Sequence, residues 1–255
     1  MNHLRALIIN TVMLVSIANC IFSSDITPTI LQDKGVLVES IGNEELLCVI
    51  NTEDEKGACW FILKPMGHNR EIGSNLSALH EVNQILVSPD SNRLAVLSVG
   101  EGHPVIEAID LQKLINQGKY VVLHKIDPYP GAVWIDRWDG RHLIVYSNVP
   151  LTLRKEDGRV DANLMLPEDE KFSLDPETGV MESSTFDIKK LIQHYLSNLT
   201  HSSPGVRIEA AYAIKALEAT DAIPVLEEAL KKESDPDVKN AFMEVVIFLK
   251  GKKSH

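Results

Sequence analysis

The sequence predicts an α+β, multi-domain chain: an all-β domain of repeated strand units followed by a short α-solenoid. Three observations predict this. Strand-like runs recur at intervals of 47 and 49 residues before Phe186. From Asp187 the apolar positions take up helical spacing, and that helical pattern repeats at offsets of 31 and 32 residues. The expected organisation is a leader at 1–23, a β domain at 24–186 and a helical repeat domain at 187–255.

The leader has a cationic start, Met1 to Arg5, then an apolar stretch from Ala6 to Phe22 that exits into Ser23, Ser24 and Asp25. This order is the signature of a secretory signal peptide. An alternative stays open at Ile17-Ala18-Asn19-Cys20, which resembles a bacterial lipoprotein box with Cys20 as the lipid-bearing residue. Either way the expected destination is the periplasm, the envelope surface or the outside of the cell.

Length and charge narrow the function classes. In 255 residues, Lys plus Arg total 25 and Asp plus Glu 36, giving a net charge of -11. A general nucleic-acid binder is not expected, because such binding depends on clustered Lys and Arg at phosphates. No long apolar run follows the leader, so no integral span is expected after its removal. The acid is concentrated in 24–186, with 14 basic and 26 acidic residues, whereas 187–255 carries ten of each.

Within the β domain, Cys48 and Cys59 lie on two apolar runs, Leu46–Ile50 and Ala58–Leu63, around a polar loop. The pattern predicts a β-hairpin, and folding it about its middle sets the cysteines nearly opposite. An oxidising compartment would then allow a Cys48–Cys59 disulfide; two buried thiols are the alternative. A metal site is not expected, since no His lies near either cysteine.

The next strand pair, Gln84 to Ser98, turns at Ser88-Pro89-Asp90, where Pro presets φ and Asp can bond its own backbone. A third strand is expected at Val105–Asp110. Ala132 to Ser147 repeats the pattern, Leu143 aligning with Leu94 and Leu47, and Asp139 with Asp90; Trp138-Asp139 is expected in its turn. The Ser-Pro-Asp strand pair and Ser173-Leu174-Asp175-Pro176-Glu177-Thr178-Gly179 resemble blades of WD40-like or TolB-like β-propellers. That resemblance covers about 150 residues and implies four-stranded units, three of which can be counted.

In the helical domain, Val206, Ala210, Ala213, Ile214 and Leu217 form one stripe, with Ser203 expected as its cap and Pro204 in its first turn. Asp221 opens a second helix with Ile223, Leu226 and Leu230 inward and Glu227–Lys231 and Glu228–Lys232 outward. Asp235-Pro236 restarts the first pattern with Val238, Phe242, Val245 and Leu249, and an earlier helix from Asp187 to Leu199 matches the second. At Ser203 to Leu217 and Asp221 to Leu226 the chain resembles HEAT-like repeats of the phycobilin-lyase type. The resemblance implies a binding scaffold rather than a chemistry, and the His-Glu pairs of metal-binding members are absent.

The chain holds no Gly-x-Ser-x-Gly, no phosphate-binding Gly-Lys-Ser/Thr loop and no His-Glu-x-x-His. No catalytic residue, metal or cofactor is therefore expected. Asn75-Leu76-Ser77 and Asn198-Leu199-Thr200 are glycosylation sequons, meaningful only in a eukaryotic secretory pathway. Met243 and Ile247 point away from the inward stripe of the last helix and form the candidate partner-docking spot, expected to dock on the chain's own β half or on another protein, the β half being favoured. The expected function is a non-enzymatic protein-interaction scaffold of the bacterial envelope or periplasm. The alternative is an enzyme or enzyme subunit, hydrolase-like or carbohydrate-acting, with a site around His103, Trp134, Asp136 and Asp139.

Overall fold

A computed structural model describes residues 36–51, 57–63, 70–74, 81–100, 102–155 and 159–253. The leader with Cys20, and the sequon at Asn75, lie outside these residues. The described strands form three sheets, each of four strands in sequence order. The first contains β1 (Val36–Ile41), β2 (Glu44–Asn51), β3 (Gly57–Leu63) and β4 (Arg70–Ser74). The second contains β5 (Glu81–Val87), β6 (Arg93–Gly100), β7 (His103–Asp110) and β8 (Val122–Ile126). The third contains β9 (Val133–Asp139), β10 (His142–Ser147), β11 (Glu170–Leu174) and β12 (Met181–Glu182). Leu47, Leu94 and Leu143, which align in sequence, all fall on the second strand of a sheet. No closed ring of sheets is present among the described residues.

The turn from first to second strand is built differently each time. In the first sheet Ile41 pairs with Glu44 across Gly42-Asn43, and Gly42 has φ 60°, which glycine adopts at little cost. In the third, β9 passes to β10 through Gly140-Arg141, with Gly140 at φ 57°. Trp138 and Asp139 therefore end a strand, not a turn as expected, because the glycine one step later supplies the reversal. In the second sheet the Ser-Pro-Asp loop does this work with side chains. The Ser88 hydroxyl donates to Asp90 Oδ1 at 2.6 Å and accepts from the Arg93 amide at 2.9 Å. Asp90 Oδ1 also accepts from the Asn92 amide at 3.1 Å, and Arg93 Nη1 reaches Asp90 Oδ2 at 3.0 Å. The Ser88 hydrogen bond, with those from Asn92 and the charge of Arg93, pulls the Asp90 carboxyl down to about 2. Arg93 also binds Glu177, which lies on the Asp175–Gly179 turn.

Apolar side chains of the first two sheets share a core: Leu46, Ile72, Ile85, Leu94, Val96 and Ile109 among others. Helix α1 (Leu111–Gln117) adds Leu111 and Leu114 to it. Asp110 caps α1 by accepting from the Lys113 amide at 2.9 Å. Gly118 ends it at φ 64°, so close to β4 that a Cβ would stand 2.6 Å from the Ile72 carbonyl oxygen. The first strands of the sheets meet one another: the Val87 amide donates to Glu39 Oε2 at 3.4 Å, and the Trp138 indole to the Leu86 carbonyl at 2.9 Å.

The predicted cysteine hairpin is present as β2 and β3, but the expected disulfide pairing is not. The register sets Cys48 against Trp60 and Cys59 against Val49. That is an offset of one residue, and in a pleated pair one residue exchanges the faces. Cys48 is a buried thiol in the core.

The described chain divides into two compact units. One takes the residues through Asp127 with Trp134–Val145 and Leu174–Val180; the other takes Pro128–Val133, Tyr146–Ser173 and the residues from Met181 on. The helices of the second unit are α2 (Ile188–Asn198), α3 (Pro204–Ala216), α4 (Ile223–Lys232) and α5 (Pro236–Lys253). Asp187 caps α2 through the Lys189 amide at 2.8 Å, and Asp235 caps α5 through the Asp237 and Val238 amides. Ser203, expected to cap α3, stands at its N-cap without a side-chain hydrogen bond to the helix. A 3₁₀ turn, Thr220–Ala222, stands where Asp221 was expected to open α4. Tyr195 of α2 fastens the Leu164–Met165 loop, accepting from the Met165 amide at 2.8 Å and donating to its carbonyl at 2.5 Å. No described helix is long and apolar enough to cross a membrane.

Candidate functional site

The helices stack as two pairs, α2 with α3 and α4 with α5, joined by α3 lying along α5. Of the inward stripes predicted from sequence, Ala210, Ala213 and Ile214 on α3, Ile223 and Leu226 on α4, and Val238, Phe242, Val245 and Leu249 on α5 are buried, whereas Val206, Leu217 and Leu230 are half-buried. The close approach of the two helices is marked by a contact at the repeat offset itself. The Tyr212 hydroxyl donates to Glu244 Oε2 at 3.1 Å, 32 residues on, and Lys215 Nζ reaches Glu244 Oε1 at 2.6 Å. Lys215 also sits over the Phe248 ring, 5.2 Å from its centroid. Equivalent positions of successive repeats thus face one another, as in a solenoid. Residues 183–246 match the HEAT-repeat family.

The ends of these HEAT-like helices are tied by a clamp that the sequence reading missed. Arg207, in the first turn of α3, holds Glu233 with both Nε and Nη2, at 2.7 and 3.0 Å. Arg207 Nη1 donates to the carbonyls of His201 and Ser202, while Glu233 Oε1 accepts from the Ser234 and Asp235 amides. The loop before α3 and the loop before α5 are thereby joined through one buried pair. Arg207's hydrogen bonds hold the Glu233 carboxyl below its ordinary range. Nothing periodic announces a pair 26 residues apart, so the repeat offset could not find it. The expected outer pairs on α4 are realised only in part: Lys232 meets Glu228 at 3.1 Å, but Glu227 turns to Lys250 of α5 at 2.7 Å instead of Lys231.

Met243 is 48% and Ile247 70% exposed, flanked by exposed Lys239, Asn240 and Glu244. Of the residues of the alternative enzyme site, Asp136 is bound to the neighbouring Arg137, and His103 pairs with Asp127, the residue after β8, at 3.2 Å. Trp138, on the same strand as Asp136, is buried with its indole on the Leu86 carbonyl. Asn198 Nδ2 contacts the His194 ring at 3.2 Å. No metal-binding group of three or more His, Cys, Asp or Glu occurs among the described residues.

No curated protein sequence matches the chain. Among solved structures it is similar to TolB from Acinetobacter baumannii, with 15% identity and a TM-score of 0.33, over 56% of this chain and 30% of that one. It is also similar to oligopeptidase B from Trypanosoma brucei, with 11% identity and a TM-score of 0.40, over 61% of this chain and 22% of that one. A third is the AtxE2 isopeptidase, with 13% identity and a TM-score of 0.39, over 62% of this chain and 31% of that one. The chain thus spans less than a third of each of these proteins.

Proposed function

We propose that this chain is a non-enzymatic protein-interaction scaffold of the bacterial cell envelope or periplasm. Its three sheets are propeller-type blades, and its helical repeats present the docking surface. The observation that carries the reading is the stacked helix pair with an apolar spot, Met243 and Ile247, left on its outer face. HEAT-like repeats bind through extended helix faces, and two neighbouring apolar side chains left exposed on such a face offer a contact surface. The leader's charge and apolar pattern supports export, with lipid attachment at Cys20 as the competing route to the envelope.

The test is affinity purification of the tagged chain from envelope fractions, with mass spectrometry of what accompanies it and of the mature N-terminus. A protein retained by the native chain and lost with Ile247→Asp supports the reading. An unprocessed N-terminus refutes the export assignment. A set of retained proteins indifferent to Ile247 refutes the docking assignment.

A further inference from the structure

Shifting α3 onto α5 by 32 residues places Ala211 on Met243 and Lys215 on Ile247. On α3 this face is covered: Ala211 is fully buried and Lys215 reaches across to Glu244 of α5. On α5 the same two positions stand in solvent, 48% and 70% exposed. The spot is thus a stacking face with the geometry to receive another helix, and its chemistry says which kind.

Asn240, Met243 and Ile247 follow spacings of three and four, so they occupy successive a, d and a positions of a heptad. Lys239 then falls at g and Glu244 at e, on opposite borders of the seam. In a parallel pair each g side chain meets the e side chain five residues further along the partner helix. Lys239 and Glu244 have that spacing, so two copies of α5 side by side would form the ion pair twice, Glu244 sharing its half-exposed carboxylate between the partner helix and its own Tyr212 and Lys215. An antiparallel pair would instead set g against g, bringing Lys239 towards Lys253. Asn at a single a position favours one register, and Lys250 at the next d position is drawn aside to Glu227.

We propose that this face docks a second copy of this chain, α5 lying parallel to α5 across a two-fold axis. The proposal rests on the reading of Met243 and Ile247 as a docking surface and names its occupant. With two apolar positions per chain the seam is short, so the dimer is weak and forms with rising concentration.

Sedimentation equilibrium of the purified full chain across a wide concentration range tests this. The expected result is a mass rising from one chain towards two. Ile247→Asp should raise the dissociation constant at least about tenfold, as loss of a central apolar contact does. Lys239→Glu and Glu244→Lys should each be monomeric alone, and their equimolar mixture should recover the dimer, because only the mixed pair has both salt bridges. If Glu244→Lys loses its helical circular dichroism, added salt takes its place: it should weaken the native dimer and strengthen the Lys239→Glu one. A single-chain mass at every concentration, a dimer indifferent to Ile247→Asp, or no recovery in the mixture or with salt would overturn the proposal. A monomer that still retains an envelope protein through Ile247 overturns the second copy alone. A monomer without such retention removes the docking reading as well.

Discussion

Strand repeats and helix repeats in this chain keep their registers by different chemistry. Between the first strands of the sheets the contacts change each time: an amide on Glu39 in one case, the Trp138 indole on Leu86 in the other. Between α3 and α5 the contact follows the repeat, Tyr212 meeting its own counterpart position, Glu244. A sheet satisfies its backbone through neighbouring strands, so side chains between sheets are free to vary as long as they pack. A helix satisfies its backbone internally, so stacking depends on side-chain faces recurring at a fixed spacing.

The contrast can be broken most strongly in the helices. Phe242 is wholly buried between them, and Phe242→Ala should cost about 3–4 kcal/mol through lost burial and the cavity left. Hydrogen exchange read by mass spectrometry should then show faster exchange across Ile188–Asn198 through Pro236–Lys253. Unchanged protection there would mean the helices are not held by that stripe.

Next in size is the clamp. Arg207→Ala leaves Glu233 buried beside amides but without its cation, and should cost about 2–3 kcal/mol in urea unfolding. Arg207→Lys should recover only part of this, because an ammonium cannot hold both carboxylate oxygens as the guanidinium fork does. Full recovery would reduce the clamp to a simple charge contact.

The smallest effect belongs to the strand repeats. Asp90 is depressed to about 2 in the fold against an ordinary 3.8. Its contribution is therefore complete above about pH 5 and fades as pH falls through 3.8 towards 2. Because the side chain is 44% exposed, solvent screening limits the loss in Asp90→Asn to about 1 kcal/mol at pH 7. The gap between native and variant stabilities should close on acidification to pH 2. A gap that stays constant would assign the loss to backbone geometry rather than to the carboxylate.

The legibility of these parts follows the same division. The apolar helical stripes, the helix starts at Asp187 and Asp235, and the exposure of Met243 and Ile247 were readable because a 3.6-residue period assigns each side chain a direction. The cysteine hairpin was readable as two runs, yet its register was not. One residue of slip separates Cys48 from Cys59 across the pair, and apolar content is nearly the same in either register. Trp138 was misplaced by a similar margin, since Gly140 and not Asp139 carries the positive φ of that turn.

The sequence by itself determined the local elements: where strands give way to helices at Asp187, which helix faces are apolar, and the repeat that matches HEAT-like proteins. Those properties depend on residues within a few turns of one another. Only the tertiary structure decided that Arg207 would hold Glu233, that Glu227 would leave Lys231 for Lys250, and that Trp138 would reach Leu86. Each of these pairs residues from separate elements. Their meeting depends on how those elements pack in space, which no local period records.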